Sequence, residues 1–205
     1  FGGAGNEYFD LRIAAGAGTK MLDGAIVVLR DLHIAGGILD VDAANNHQIT
    51  VAGNWRNDAG HAGFAARQGT VVFTKPAPGP IEIRGNNTWY VFQCLSAVPG
   101  LRIHFENDLI APGIQITQRI AFGGTFRVRG SSAVNFIRLD RLNDTGNDPT
   151  NPPADPGNDD DFWFFDLTPG ATLDMEHVHV YYSNARSNPV SVPANVSATP
   201  YSTYY

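Results

Sequence analysis

The chain has 205 residues, a formal net charge of −6, few charged side chains (17%) and many glycines (22) and prolines (13). That length suffices for one domain with a full core, while the acidic balance and the lack of a basic face exclude nucleic acid as a partner. A single cysteine, Cys94, excludes an internal disulfide and a cysteine-based metal cluster, no apolar run is long enough for a membrane span, and no signal peptide pattern opens the chain.

The first residues, "FGGAGNEYFDL", read as the middle of a pattern, which implies a trimmed or mature segment of a larger protein. Short β-branched and aromatic runs bounded by Gly, Asn, Asp and Pro then predict strands throughout. In chain order these are Tyr8–Ile13, Ala25–Leu29, Leu32–Ile34, Ile38–Val41, Ile49–Val51, Gly69–Thr74, Ile81–Ile83, Trp89–Cys94 and Leu101–Phe105. Ile114–Thr117, Gly124–Val128, Val134–Leu139, Phe162–Leu167, Thr172–Met175 and Val178–Tyr182 follow. "ILDVD", "QITVA", "IEIR" and "TFRVR" alternate apolar with polar residues, so each such strand has one side inward and one side to solvent.

The alternation slips phase at Arg30-Asp31 and at Glu176-His177. A slip between two strands is what a corner between two sheets produces, and hairpin dipeptides are scarce, Asp23-Gly24 being the one case. "GNEYFDLRI" also lies on "NNTWYVFQC", with Tyr8 on Trp89 and Phe9 on Tyr90, a long degenerate repeat. Parallel strands pair without helical crossovers when successive coils stack. The expected fold is therefore all-β, a parallel β-helix, with a β-sandwich as the alternative.

Four parts are expected: rungs over 1–142, an inserted acidic loop over 143–161, further rungs over 162–188, and an edge strand or linker over 189–205. The insertion, "NDTGNDPTNPPADPGNDDD", has four prolines and almost no apolar residue. The tail is rich in Pro, Ser, Thr and Tyr; Tyr201, Tyr204 and Tyr205 are its candidate assembly residues, through strand addition to a neighbouring subunit.

The segment from Gly53 to Gly100 resembles the repeats of bacterial filamentous-haemagglutinin-like cell-surface proteins. The matching positions are Gly53, Asn54, Trp55, Asn57, Gly60, Phe64, Gly69, Thr70, Val71, Phe73, Ile81, Asn87, Thr88, Trp89 and Tyr90. Lys75-Pro76 stands where such repeats have glycine, and the insertion departs from them too. The resemblance implies a right-handed β-helix displayed outside the cell, akin to adhesins and passenger domains. Tyr8, Phe9, Trp55, Phe64, Phe73, Trp89 and Tyr90 are the expected structural positions of the repeat.

Candidate chemistry is sparse. Asp155, Asn158, Asp159, Asp160 and Asp161 offer oxygen ligands for Ca²⁺, but their spacing fits no EF-hand, and a solvated, self-repelling loop is preferred. His177 and His179 share a strand, yet lack a third metal ligand. His33, His47, His61 and His104 read as surface histidines. For a polysaccharide lyase or hydrolase the acids would be Asp40, Asp42, Glu82, Glu106 and Asp140, with Arg84, Arg102 and Arg138 as basic partners. Alternation alone explains all of them. Trp55, Trp89 and Trp163 offer sugar-stacking surfaces, although rung packing is preferred for the first two. Cys94, in "WYVFQCL", reads as a small buried hydrophobe.

The expectation is a structural or adhesive module with no catalytic residue and no cofactor. Its partners would be further copies or domains of the same protein, glycans or a host surface. A carbohydrate-binding or polysaccharide-degrading protein is the alternative.

Overall fold

Runs of three to five alternating residues are too short for helices and form strands only if neighbours complete their hydrogen bonds. The computed structural model describes residues 6–16, 18–76, 79–106, 109–111, 114–132, 135–142, 163–180, 183–185 and 203–204. Among them there is no α-helix. The first pass of the chain lays down β1 (Glu7–Tyr8), β2 (Leu11–Ile13) and β3 (Thr19–Met21), and the second β4 (Ile26–Val28), β5 (Leu32–Ile34) and β6 (Ile38–Asp40). The third gives β7 (Ile49–Val51), β8 (Trp55–Asn57) and β9 (Phe64–Ala65). Later passes give β10 (Thr70–Phe73) and β11 (Pro80–Arg84), then β12 (Asn87–Ser96) and β13 (Arg102–Phe105). A small pair, β14 (Leu109–Ala111) and β15 (Ile114–Gln115), precedes β16 (Thr117–Gly130) and β17 (Ile137–Arg141). The last described strands are β18 (Trp163–Leu167), β19 (Thr172–Glu176), β20 (Val178–Val180), β21 (Ser183–Ala185) and β22 (Thr203–Tyr204).

Each sheet takes one strand from each successive pass. The first sheet runs β1-β4-β7-β10-β12-β16-β18-β21 with β19 also on β16, the second β2-β5-β8-β11-β13-β17-β20-β22, and the third β3-β6-β9. Apart from β14–β15, every strand pairing among the described residues is parallel. This rules out the β-sandwich alternative, whose sheets are antiparallel. In the second sheet Leu11 pairs with Leu32 and Leu32 with Trp55, so one pass takes about 22 residues.

The long repeat read from the sequence is not the structural register. Tyr8 shares its column with Val28, Val51, Phe73 and Cys94, whereas Trp89 pairs with Ile120. The expected strand Tyr8–Ile13 is split at Phe9-Asp10, where the chain turns from the first sheet to the second. The two phase slips are corners of the same kind: Arg30-Asp31 separates β4 from β5, and His177, with φ of +52°, separates β19 from β20.

The inward positions form one contiguous apolar interior. At its centre Trp55, Trp89, Phe73, Phe92 and Phe126 have essentially no solvent exposure. Phe92 stacks on Phe126 with ring centroids 4.8 Å apart and on Phe73 at 4.9 Å. In-register parallel pairing stacks Phe92 on Phe126, because Val71, Phe92, Phe126 and Leu173 occupy one column, and Phe73 reaches Phe92 from the column of Val51 and Cys94. Replacing Phe92 by alanine is expected to cost about 3–5 kcal/mol in urea unfolding, against less than about 0.5 kcal/mol for the exposed Leu95.

Candidate functional site

Position in register decides which of the candidate acids meet. On the solvent side of the second sheet Glu82, His104 and Asp140 lie on adjacent strands in one row, and Arg102, Arg138 and His179 form the next. Asp40 and Asp42 are elsewhere, at the end of the third sheet. Asp40 is buried and clamped by Arg67 at 2.7 Å, and Asp42, with φ of +68°, accepts hydrogen bonds from Ala44 and Asn45.

Glu82 and Asp140 are two strand spacings apart, about 9.6 Å between backbones, near the upper limit for a pair of carboxylates that activates water between them. Their engagements oppose that chemistry. Asp140 is buried and accepts from Arg138 Nε at 2.6 Å, Glu82 pairs with Arg84 at 2.9 Å, and Glu106 accepts the Gly85 amide at 2.6 Å. His104 is half-buried and its Nε2 has no partner among the described residues. Burial holds its imidazole below the usual histidine range, with Arg102 and Arg138 acting the same way against Asp140 and Glu82. His179 is also held low, by burial and then by Arg138, and stacks on Phe136 at 4.0 Å. No group of three or more His, Cys, Asp and Glu able to hold a metal occurs among the described residues.

The remaining histidines, His33, His47, His61 and His177, are all half-buried. His33 meets Asp58 at 2.8 Å, and His61 Nδ1 lies 3.0 Å from Thr88 Oγ1. His177 occupies the corner before β20 and is mostly buried.

The tryptophan and asparagine positions of the repeat serve an internal amide ladder that single residues did not reveal. Trp55 Nε1 donates to Asn87 Oδ1 at 2.8 Å, and Trp89 Nε1 to Gln118 Oε1 at 3.2 Å. Asn57 Nδ2 donates to the Asn86 carbonyl, Asn87 Nδ2 to the Gly85 carbonyl and to Gln118, and Gln118 Nε2 to the Gly85 carbonyl. Asn57, Asn87 and Gln118 are all buried. Asparagine recurring beside tryptophan, in "NWRN" and "NNTW", was the signal for them. Outside, a second ladder runs up the corner between the first two sheets. The Asp31 amide donates to Asp10 Oδ1, the Asn54 amide to Asp31 Oδ1 and the Glu82 amide to Asn54 Oδ1. Gly53 is needed there because a Cβ would run into the Arg30 carbonyl.

Of the expected repeat positions, Phe64 and Phe73 join Trp55 and Trp89 in the interior. Tyr8 and Tyr90 pack partly against it, and Phe9 is exposed beneath the Arg30 guanidinium. The backbone of Tyr204 pairs with β20 through β22. Tyr201, Tyr205 and the calcium candidates Asp155, Asn158, Asp159, Asp160 and Asp161 lie outside the described residues.

No family model, curated protein or solved structure matches the chain. The likeness to haemagglutinin-like surface repeats thus stands on its motif residues alone. Among the described residues no helix is long and apolar enough to cross a membrane.

Three outcomes are expected. Burial pushes the Cys94 thiol up to about 12, so a thiol-specific chromophore at pH 8 should label it only in denaturant. Asn87→Leu leaves Trp55 Nε1 without its acceptor, at about 1–3 kcal/mol for the group left unmade, read by urea unfolding. The hydrogen bond from Arg67 holds Asp40 below its ordinary 3.8. A carboxyl lowered on folding stabilises fully above that ordinary value and loses its contribution as pH falls through the folded one. Stability should therefore drop below about pH 4, and less steeply in Arg67→Gln than in the parent when urea midpoints are followed from pH 6 to 3.

Proposed function

We propose that the three sheets close into a right-handed parallel β-helix. The chain then serves as a structural or adhesive module of a secreted or surface-displayed bacterial protein, associating end to end into a fibre. One observation carries this reading: the first two sheets take their strands in the same order, one per pass and in parallel, over a single apolar interior. In such a stack each pass contacts only its neighbours, and stability accumulates along one axis. The work is mechanical. Each fully buried Ile, Leu or Val contributes about 1.5–3 kcal/mol relative to exposure, and a column of them resists extension.

The carboxylates in the solvent-facing row of the second sheet are held by arginines or a backbone amide. That supports a face that keeps its own shape over one that transfers protons. A parallel stack presents strand edges at its two ends, open to further passes of the same protein or to another copy, and a head-to-tail contact repeated without closure builds a filament. The resemblance of the repeat motif to surface-protein repeats supports a location outside the cell.

Negative-stain electron microscopy tests the assembly. Rods of constant width that lengthen with concentration are expected; monodisperse globular particles at every concentration would overturn the fibre. Incubation with acidic polysaccharides should release no new unsaturated or reducing ends. Release that disappears in Glu82→Gln or Asp140→Asn would replace the module with an enzyme.

A further inference from the structure

The large hydrophobic residues exposed among the described residues are Phe9, Met21, Leu29, Leu95 and Phe122. Three of them lie in one line. The register of the first sheet puts Tyr8, Val28, Val51, Phe73 and Cys94 in a single inward column. One residue further along each strand come Phe9, Leu29, Ala52, Thr74 and Leu95. Their backbones continue the register, with the Leu29, Ala52 and Thr74 amides donating to the Tyr8, Val28 and Val51 carbonyls. Phe9 is 64% exposed, Leu29 48% and Leu95 50%. Scattered apolar residues on a surface are ordinary, but a row of them marks a contact face.

Beside this row runs a second, Glu7, Val27, Thr50, Val72, Gln93 and Arg127. A third holds Thr70, Val91 and Thr125. From β4 to β12 the three rows carry no charge. Charge enters at the two ends, as Glu7 on β1 and as Arg127 and Arg129 on β16, with Arg129 in line with Leu95. The Glu7 carboxylate has no partner among the described residues. Arg127 engages Asp174 through Nε, at 2.7 Å, and its two terminal nitrogens have no partner among the described residues.

We propose that this face pairs with the same face of a second copy of the chain, turned end for end about a two-fold axis parallel to the strands and between β7 and β10. The order of the residues selects the occupant. The rotation sets β1 against β16, β4 against β12 and β7 against β10. Leu29 then meets Leu95 of the other copy, Val27 meets Gln93, Thr50 meets Val72 and Glu7 meets Arg127, each contact occurring twice. The face is its own complement, which is the condition for a closed contact between identical surfaces. A partner of a single charge would match only one end. The end charges fix the orientation, because two faces laid the other way would put Glu7 on Glu7 and Arg127 on Arg127. Affinity comes from the leucines and the uncharged centre, since exposed ion pairs add little. The six strands from β1 to β16, about 4.8 Å apart, and five residues of about 3.3 Å each make a face of about 29 Å by about 17 Å. Two copies would cover about 1,000 Å² in all, the lower limit of a specific interface, so the pair dissolves on dilution.

This contact goes beyond the end-to-end fibre and does not depend on it, because it uses the side of the stack. Sedimentation velocity of the full chain tests it, with monomer expected at low concentration and dimer at high. Leu29→Lys and Leu95→Glu, both at exposed positions and expected to keep the thermal midpoint of the parent, should each weaken pairing at least about tenfold. Each buries a charge against leucine twice in every pair. Mixing the two single variants, or placing both substitutions in one chain, should restore pairing, since the new lysine then faces the new glutamate. Arg102→Ala on the second sheet should change nothing. Monomer at every concentration, equal pairing in Leu95→Glu and the parent, or no recovery on mixing overturns the contact. Flotation with phosphatidylcholine vesicles that is lost in Leu95→Glu would overturn it too, and give the face to a lipid surface. Where rods form, those of the parent should be two stacks wide and those of Leu95→Glu one. A chain that pairs without forming rods keeps this contact and loses the fibre; rods one stack wide in the parent do the reverse.

Discussion

Everything in this protein depends on each strand pairing in parallel and in register with its counterpart one pass later. That constraint stacks like on like: an inward position lies under an inward position, and a corner under a corner. Apolar columns satisfy it without further help. A polar side chain turned inward must find its partners on a neighbouring pass, in its own column or across a corner between sheets. Asn57, Asn87 and Gln118 meet that condition with each other, with backbone carbonyls and with the two tryptophan Nε1 groups. A partly satisfied ladder would be worse than an apolar one, so these amides and the tryptophans are bound to one another.

Much of this architecture is legible in the residues, and the places where it is not have physical causes. Strict alternation in "ILDVD" and "IEIR" marks β6 and β11, and loss of phase at Arg30-Asp31 and Glu176-His177 marks true corners. β3, β8 and β9 are hidden because two or three residues such as "TKM" or "WRN" are too few to show a period. The long offset that set Tyr8 on Trp89 matched aromatic residues in different columns. Passes also differ in length, with 36 residues from Ile103 to Leu139 against 22 from Ile81 to Ile103, so no constant offset describes them. The candidate acids were visible as polar alternates; only register could show that Glu82 and Asp140 share a row while Asp40 does not. The bulge that sets Tyr90 opposite four residues of β16 left one trace, the adjacent glycines of "AFGG".

The two large sheets offer different chemistry to their surroundings. Outward positions on β4, β7, β10 and β12 include Val27, Thr50, Val72 and Gln93, all uncharged. Those on β5, β8, β11 and β13 include His33, Arg56, Glu82, Arg84 and His104. The stretch of the first sheet from β4 to β12 therefore meets apolar or neutral surfaces at little desolvation cost, whereas the same row ends in the Arg127–Asp174 ion pair on β16 and β19.

The corner ladder has a mechanical consequence. Asp10, Asp31 and Asn54 each hold the amide of the pass that follows, so a pull along the stack loads these links in series. The first two acceptors are carboxylates, whose hydrogen bonds are roughly twice as strong as those of a neutral amide. The third is the carboxamide of Asn54, placed just where the third sheet ends at β9. At the join between the third and fourth passes the corner link is thus the weakest of the three, and there the ring contacts of Trp55 and Phe64 with Trp89 cross the join and carry load in its place.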